Sequence, residues 1–267
     1  MTNADPAYWG RPPSRSDLAD GEVHLWRVNL DRIDAEGRRL EALLSEDEHN
    51  RAQRFRFERD QRHFIVARGA LRGLLGAYLE TDPRAVAFEY TSFGKPFLGG
   101  QSRVRLGFNV SHSNGLALIA VCRCADIGVD LEWMRTGIDP LSLAEHYFSP
   151  PERSALRAAT EAARTEAFFT CWTRKEAYIK ARGEGLSLPL DRFAVSLERD
   201  SPCLMRNFDD SDELRRWTMF HLAPAPGFAG ALVVAGRGWS LRQWAWNPDL
   251  QEPTQCDVTF RTRLPLS

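Results

Sequence analysis

The 267-residue sequence lacks the segments that would insert it into a membrane or export it. None of its apolar runs approaches the ~20 residues that cross a bilayer. Residues 1–6 also lack the basic start and apolar stretch of a signal peptide. We therefore expect a cytoplasmic protein with no membrane partner.

The sequence also lacks an excess of charge of either sign and a cysteine pattern that would bind zinc. Lys and Arg number 35 against 36 Asp and Glu, which leaves a formal net charge of -1. A nucleic-acid partner is not expected, because non-specific binding relies on a basic field. The five cysteines contain no two Cys-x-x-Cys pairs that would complete a zinc site, so we expect reduced packing residues.

The elements that are present predict an α+β protein built from two similar α/β halves, with the active site between them. The halves are residues 22–124 and 125–247, and polar tails precede and follow them at 1–21 and 248–267. Helices are predicted at 34–44, 60–80 and 165–182, and after capping boxes at Ser45 and Ser149. Strands are predicted at 23–29, 86–90, 106–111, 116–122, 127–132, 193–197, 217–222, 229–235 and 241–246.

Two acidic residues stand two apart on one predicted strand. Asp130 and Glu132 project from the same face, so they repel each other unless a cation lies between them. Glu176 adds a third carboxylate, which the helix at 165–182 places among aromatic and aliphatic side chains, one turn before Lys180. A carboxylate taken out of water needs an opposite charge, either Lys180 or a metal ion.

Three carboxylates without a His or Cys pattern favour Mg²⁺ or Mn²⁺ over zinc. Mg²⁺ held by few carboxylates completes its coordination with water and substrate phosphates, so a phosphate substrate is implied. Hydroxyl, imidazole and ammonium donors for such a substrate are available. They are Lys95 in a Gly-Lys-Pro turn, Ser111, His112 and Ser113 at a strand end, and Lys175 and Lys180 beside Glu176.

Four motifs together resemble the 4'-phosphopantetheinyl transferases in order and approximate spacing. They are Phe93-Gly94-Lys95-Pro96, Phe108-Asn109-Val110-Ser111-His112-Ser113, Gly128-Val129-Asp130-Leu131-Glu132 and Trp172-Thr173-Arg174-Lys175-Glu176-Ala177-Tyr178-Ile179-Lys180. Length and doubled architecture are similar to the Sfp-type, pseudo-dimeric branch, and the resemblance covers roughly residues 22–247. It implies a monomer, because the second half stands in for a partner subunit.

The resemblance implies that a serine of an acyl or peptidyl carrier protein attacks the β-phosphorus of coenzyme A, and that 3',5'-ADP leaves. Asp130, Glu132 and Glu176 would hold Mg²⁺ against the diphosphate, and Glu176, Lys180 and Glu132 would form the catalytic group. The general base would be Glu176 or a metal-bound water.

Contacts with coenzyme A are implied for a second set of residues. Arg51 would meet the 3'-phosphate, with Arg62 and Arg68 as alternatives. The remaining contacts are Gly94, Lys95 and Pro96 beside the adenine, and Ser111, His112, Lys175 and Lys180 at the phosphates.

Two other functions stay open on the residues alone. A Mg²⁺-dependent nuclease could use the same acids, although the near-neutral charge argues against it. The second alternative is a protein that binds the coenzyme or the carrier without catalysing a reaction. The stability cost of burying an acidic cluster that has no use argues against this alternative. Fatty-acid, polyketide and nonribosomal-peptide carriers are all compatible with the sequence, and we expect carrier contact around residues 141–148.

Overall fold

The architecture is that of a computed structural model, which describes residue 9 and residues 17–31, 35–100, 106–123 and 126–246. The predicted tail at 248–267 and most of that at 1–21 lie outside these ranges. The helices are α1 (Ala35–Glu41), α2 (Glu46–Ala52), α3 (Glu58–Leu79), α4 (Pro140–Tyr147), α5 (Pro150–Ala158), α6 (Glu161–Arg182) and α7 (Glu213–Arg216). The strands are β1 (Glu22–Asn29), β2 (Phe88–Tyr90), β3 (Pro96–Leu98), β4 (Gly107–Ser113), β5 (Leu116–Cys122), β6 (Ile127–Trp133), β7 (Phe193–Val195), β8 (Leu204–Asn207), β9 (Trp217–Leu222), β10 (Phe228–Ala235) and β11 (Ser240–Ala245).

Two sheets form the centre of the molecule. The first has the order β11-β1-β5-β4 and the second β6-β10-β9. Strand β5 is apolar throughout because both of its faces are covered. Ala117 and Ile119 belong to the core under α3, whereas Leu118 and Ala120 belong to the core shared with the second sheet.

Each sheet also packs against one 22-residue helix. Helix α3 lies on the outer face of the first sheet, and α6 lies on the outer face of the second. The order from one side to the other is helix, sheet, sheet, helix. This arrangement confirms the predicted α+β fold with two similar halves.

Strand β11 crosses the predicted boundary between the halves. It pairs parallel with β1, with Val23 opposite Leu241, although it comes last among the described strands. A parallel neighbour is reached only through a long connection, so local sequence patterns do not reveal the pairing. The division at residue 124 therefore stays a prediction from sequence.

The structure differs locally from the predicted elements at α6, β8 and β3. Helix α6 begins at Glu161, four positions before the predicted start, and β8 was not predicted. The predicted Gly-Lys-Pro turn leads directly into the short strand β3, which starts at Pro96. Proline has no N–H to donate to a neighbouring strand, but it is tolerated at the first position of a strand. Within the described part of the chain, no helix is both long and apolar enough to span a bilayer.

Candidate active site

A cavity of about 880 Å³ lies where β4 and β6 meet α4 and α6. It brings together residues from motifs that are up to 70 positions apart in the sequence, since Val110 and Lys180 both line it. Its walls are Val110, Ser111, His112, Asp130, Glu132, His146, Tyr147, Trp172, Glu176, Lys180, Leu188, Pro189, Leu190 and Asp191. All three predicted acids and Lys180 therefore share one cavity.

Every second side chain of β4 makes a hydrogen bond to β6. These bonds hold Asp130 and Glu132 in the wall of the cavity. These two strands belong to different sheets, so side chains rather than a backbone ladder join them. The bonds are Val129 N to Asn109 Oδ1 (2.8 Å), Ser111 Oγ to Asp130 Oδ1 (3.0 Å) and Ser113 Oγ to Glu132 Oε2 (3.1 Å). Sequence reasoning missed the roles of Asn109 and Ser113, although polar residues at alternate positions of a strand were a signal for them.

Gly128 explains how α6 comes close to the acidic strand. A Cβ atom at this position would lie 2.1 Å from the backbone oxygen of Ala177 and 2.3 Å from the backbone nitrogen of Ala181. Only glycine allows such an approach of two backbones. The contact places Lys180 Nζ 2.6 Å from Asp130 Oδ1 and 3.0 Å from Ser111 Oγ.

The surroundings of Glu176 and Glu132 oppose the ionisation of both carboxyl groups. Burial raises the pKa of Glu176, and the charges of Asp130 and Glu132 raise it further, while Lys180 lowers it. Burial and Asp130 likewise raise the pKa of Glu132, against the hydrogen bond from Ser113. The raised pKa values of Glu132 and Glu176 indicate a site where a positive charge would be stabilised.

The carboxylate oxygens of the cavity meet some of the requirements of a site for a hard cation. Asp130 Oδ1 is bonded to Ser111 and Lys180, whereas the buried Oδ2 has no hydrogen-bond partner. A buried carboxylate oxygen without a partner is unfavourable, and Mg²⁺ would satisfy it. No three His, Cys, Asp or Glu side chains among the described residues already stand together as a metal site. Magnesium binding by Asp130, Glu132 and Glu176 thus stays a prediction.

His112 and Lys95 take different positions relative to the cavity. The ring of His112 lines it, where burial by the walls and the nearby Lys180 lower the pKa of His112. Lys95 directs its ammonium into the protein, with Nζ 3.0 Å from the oxygen of Ile127 and 3.2 Å from that of Ala181. Lys95 therefore ties its turn to the start of β6 and the end of α6, and an adenine contact of this turn stays a prediction.

The structure does not bring Lys175 to the cavity, which corrects its predicted phosphate contact. Its side chain is fully buried and pairs with Glu152 at 2.7 Å. Successive helix residues point in directions about 100° apart, so Lys175 faces the interior while its neighbour Glu176 faces the cavity. Trp172 packs against the core and also lines the cavity.

A second cavity of about 630 Å³ contains the arginine predicted to meet the 3'-phosphate. Arg51 lines it together with Arg54, Arg68 and Tyr90. Arg68 bonds to the buried Glu48 and lies 3.1 Å from the hydroxyl of Tyr90. The other alternative, Arg62, is not among the residues that line this cavity and pairs with Glu58 at 3.5 Å.

Comparison with known proteins identifies two family regions in the chain. Residues 126–235 match the family described as 4'-phosphopantetheinyl transferase superfamily, and residues 33–124 match 4'-phosphopantetheinyl transferase, N-terminal. The chain is 40% identical to the 4'-phosphopantetheinyl transferase HetI of Nostoc sp., over 88% of this chain and 96% of that protein. It is 30% identical to a 4'-phosphopantetheinyl transferase of Bacillus subtilis (72% and 90%) and 29% identical to Sfp of strain 168 (70% and 87%).

Proposed function

We propose that this chain, which belongs to the 4'-phosphopantetheinyl transferase superfamily, carries out its reaction in the cavity between β4, β6, α4 and α6. The chain transfers the 4'-phosphopantetheine arm of coenzyme A to a carrier protein. One observation supports the location above others: Asp130, Glu132, Glu176 and Lys180 line the same cavity as the donors Ser111 and His112.

Asp130, Glu132, Glu176 and Lys180 divide the work of the reaction between them. Mg²⁺ held by Asp130, Glu132 and Glu176 would neutralise the negative charge of the diphosphate. Lys180, 2.6 Å from Asp130, supplies a fixed positive charge beside the same phosphates. Glu176 accepts the proton of the carrier serine hydroxyl, and its raised pKa brings its basicity closer to that task.

Coenzyme A is held by groups on the first half of the chain. His112 on β4 donates to a phosphate at the edge of the cavity. Arg51, which has no carboxylate partner among the described residues, binds the 3'-phosphate. The turn of Gly94, Lys95 and Pro96 borders the adenine, next to the end of α6 that Lys95 contacts.

Acyl and peptidyl carrier domains are the proposed partners, and the chain acts as a monomer. Their serine reaches the cavity past α4, where the half-exposed Tyr147 packs edge-on against Trp172 with ring centroids 5.7 Å apart. Continuity between this aromatic surface and the cavity supports the placement.

Transfer to apo carrier proteins tests the proposal directly. The protein is incubated with coenzyme A, Mg²⁺ and a panel of apo carrier domains, and each carrier is weighed by mass spectrometry. We expect a gain of one phosphopantetheine group on the carrier serine. Excess EDTA or Asp130→Ala should abolish the gain while the circular dichroism spectrum is kept. Undiminished transfer by Asp130→Ala at limiting Mg²⁺ would remove the metal assignment, and hydrolysis of nucleic acid in place of transfer would favour the nuclease.

A further inference from the structure

The buried ion pair between Lys175 and Glu152 has no part in the chemistry proposed above. Lys175 Nζ lies 2.7 Å from Glu152 Oε1, and the two side chains are 0% and 1% exposed. Taking two charges out of water is costly, and apolar residues of similar volume often stabilise a protein as well or better. Stability alone therefore gives little reason for this pair, and its contacts point to another role.

The pair joins α6 to two other segments of the second half. Glu152 Oε2 accepts hydrogen bonds from the nitrogen (2.9 Å) and the hydroxyl (2.7 Å) of Ser149, and Oε1 accepts one from the nitrogen of Val195 (2.8 Å). Lys175 Nζ donates to the backbone oxygen of Phe193 at 2.7 Å and lies 4.1 Å from the centre of its ring. The end of α4, the start of α5, β7 and α6 thus meet at one buried point.

Every segment that the pair holds continues directly into a wall of the cavity. Three of the anchored residues lie within two positions of a residue that lines the cavity: Ser149 near Tyr147, Phe193 near Asp191, and Lys175 beside Glu176. A helix residue that is fixed towards the interior also fixes the direction of its neighbours, because the helix backbone is rigid over such short distances.

We infer that Lys175 and Glu152 are positioning residues of the transfer reaction, because their pair sets the rotation of α6 and hence the place of the Glu176 carboxylate. The same pair sets the spacing of the two walls formed by the end of α4 and by residues 188–191. Neither residue touches a substrate. The inference rests on the proposed role of this cavity.

Single and double substitutions test the positioning role. For Lys175→Met and Glu152→Gln we expect kcat to fall about tenfold or more, since small displacements of reacting groups cost large factors in rate. The KM for coenzyme A should change by less than about threefold, because most of its proposed contacts, those of Arg51, His112 and the turn at residues 94–96, lie outside α6. Glu152→Gln keeps the size of the side chain, so its kcat decides the matter if Lys175→Met does not fold.

The double variant Lys175→Met/Glu152→Gln distinguishes an effect on the position of Glu176 from an effect on the stability of the protein. It removes both buried charges, so we expect its melting temperature to return towards that of the wild type while kcat stays low. Hydrogen exchange should be faster at residues 146–149 and 188–193 and unchanged elsewhere. Recovery of kcat in step with the melting temperature would overturn the positioning role.

Leu156→Ala serves as the matched control. Leu156 is fully buried on α5, in the core of the same half, and its apolar side chain adds neither charge nor hydrogen bond to the ion pair. This variant should lower the melting temperature and leave kcat close to that of the wild type at a temperature where both are folded. A loss of kcat equal to that of Lys175→Met would contradict the inference. A wild-type protein that modifies no apo carrier would instead contradict the proposed function.

Discussion

At the residue scale, Glu176 keeps a carboxylate in surroundings that oppose its charge. Its pKa is raised above the ordinary value of 4.5 by burial and by the nearby Asp130. Below pH 4.5 the carboxyl is protonated in both the folded and the unfolded protein. As the pH rises through the raised pKa, ionisation favours the unfolded state, so this group destabilises the protein at neutral pH.

Glu176→Gln should therefore lower the transfer activity and raise the stability of the protein. We expect transfer to fall about 10²-fold or more, as for the loss of a general base. In metal-free buffer at pH 7 the melting temperature should rise, and the gain should vanish below pH 4.5. The exposed Glu41→Gln is the control, with no change expected in either quantity. An unchanged or lower melting temperature at pH 7 would contradict the interpretation.

His112 is the second residue whose role can be measured alone. His112→Ala removes a donor to the coenzyme phosphates, so we expect the KM for coenzyme A to rise about 2- to 10-fold, the range of one hydrogen bond. The KM for the carrier should change less. His146→Ala, on the opposite wall of the cavity, should leave the KM for coenzyme A unchanged. Equal affinity of wild type and His112→Ala for coenzyme A by calorimetry would rule out the contact.

At the scale of elements, the active site depends on how closely α6 lies against β6. Gly128 permits this contact, and Lys95 ties the last turn of α6 to the first residue of β6. The side chains of β4 then hold β6 from the other side. Three elements from distant parts of the sequence thereby align the acids with Lys180.

Gly128→Ala should disturb both the fold and the reaction. The added methyl group would meet the backbone of α6, which cannot rotate away, so we expect a loss of about 1–3 kcal/mol in the free energy of unfolding and a lower kcat. Urea denaturation and transfer assays measure the two effects. Gly73→Ala on α3 is the control, because its Cβ would meet only Leu43 at 3.9 Å. That change should stabilise by roughly 0.5–1 kcal/mol, and the same loss at both glycines would contradict the explanation.

At the scale of the whole molecule, β11 makes the two halves depend on each other. It follows the second half in the chain but pairs with β1 in the first sheet, where Trp244 packs on Trp26 with ring centroids 5.0 Å apart. The two sheets also share an apolar core. Neither half is expected to fold alone.

Removal of residues 240–267 tests this dependence. We expect a loss of roughly 1.5–3 kcal/mol for each large apolar side chain that becomes uncovered in the first sheet. The loss should be seen by urea denaturation, with the transition of the whole chain moved to lower urea. A control that ends at residue 247 keeps β11 and should unfold like the full chain. If the shorter chain keeps its full stability, β11 contributes nothing essential.

The sequence by itself determined the family, the α+β class, the reaction and the three acids with Lys180 as candidates. Periodicity and spacing are local properties, and four motifs in order carry family identity without any coordinates. Only the tertiary structure decided that Lys175 faces Glu152, that Asn109 and Ser113 hold β6, and that β11 joins the first sheet. These contacts depend on helix rotation and on pairing between segments far apart in the chain, and local sequence patterns specify neither.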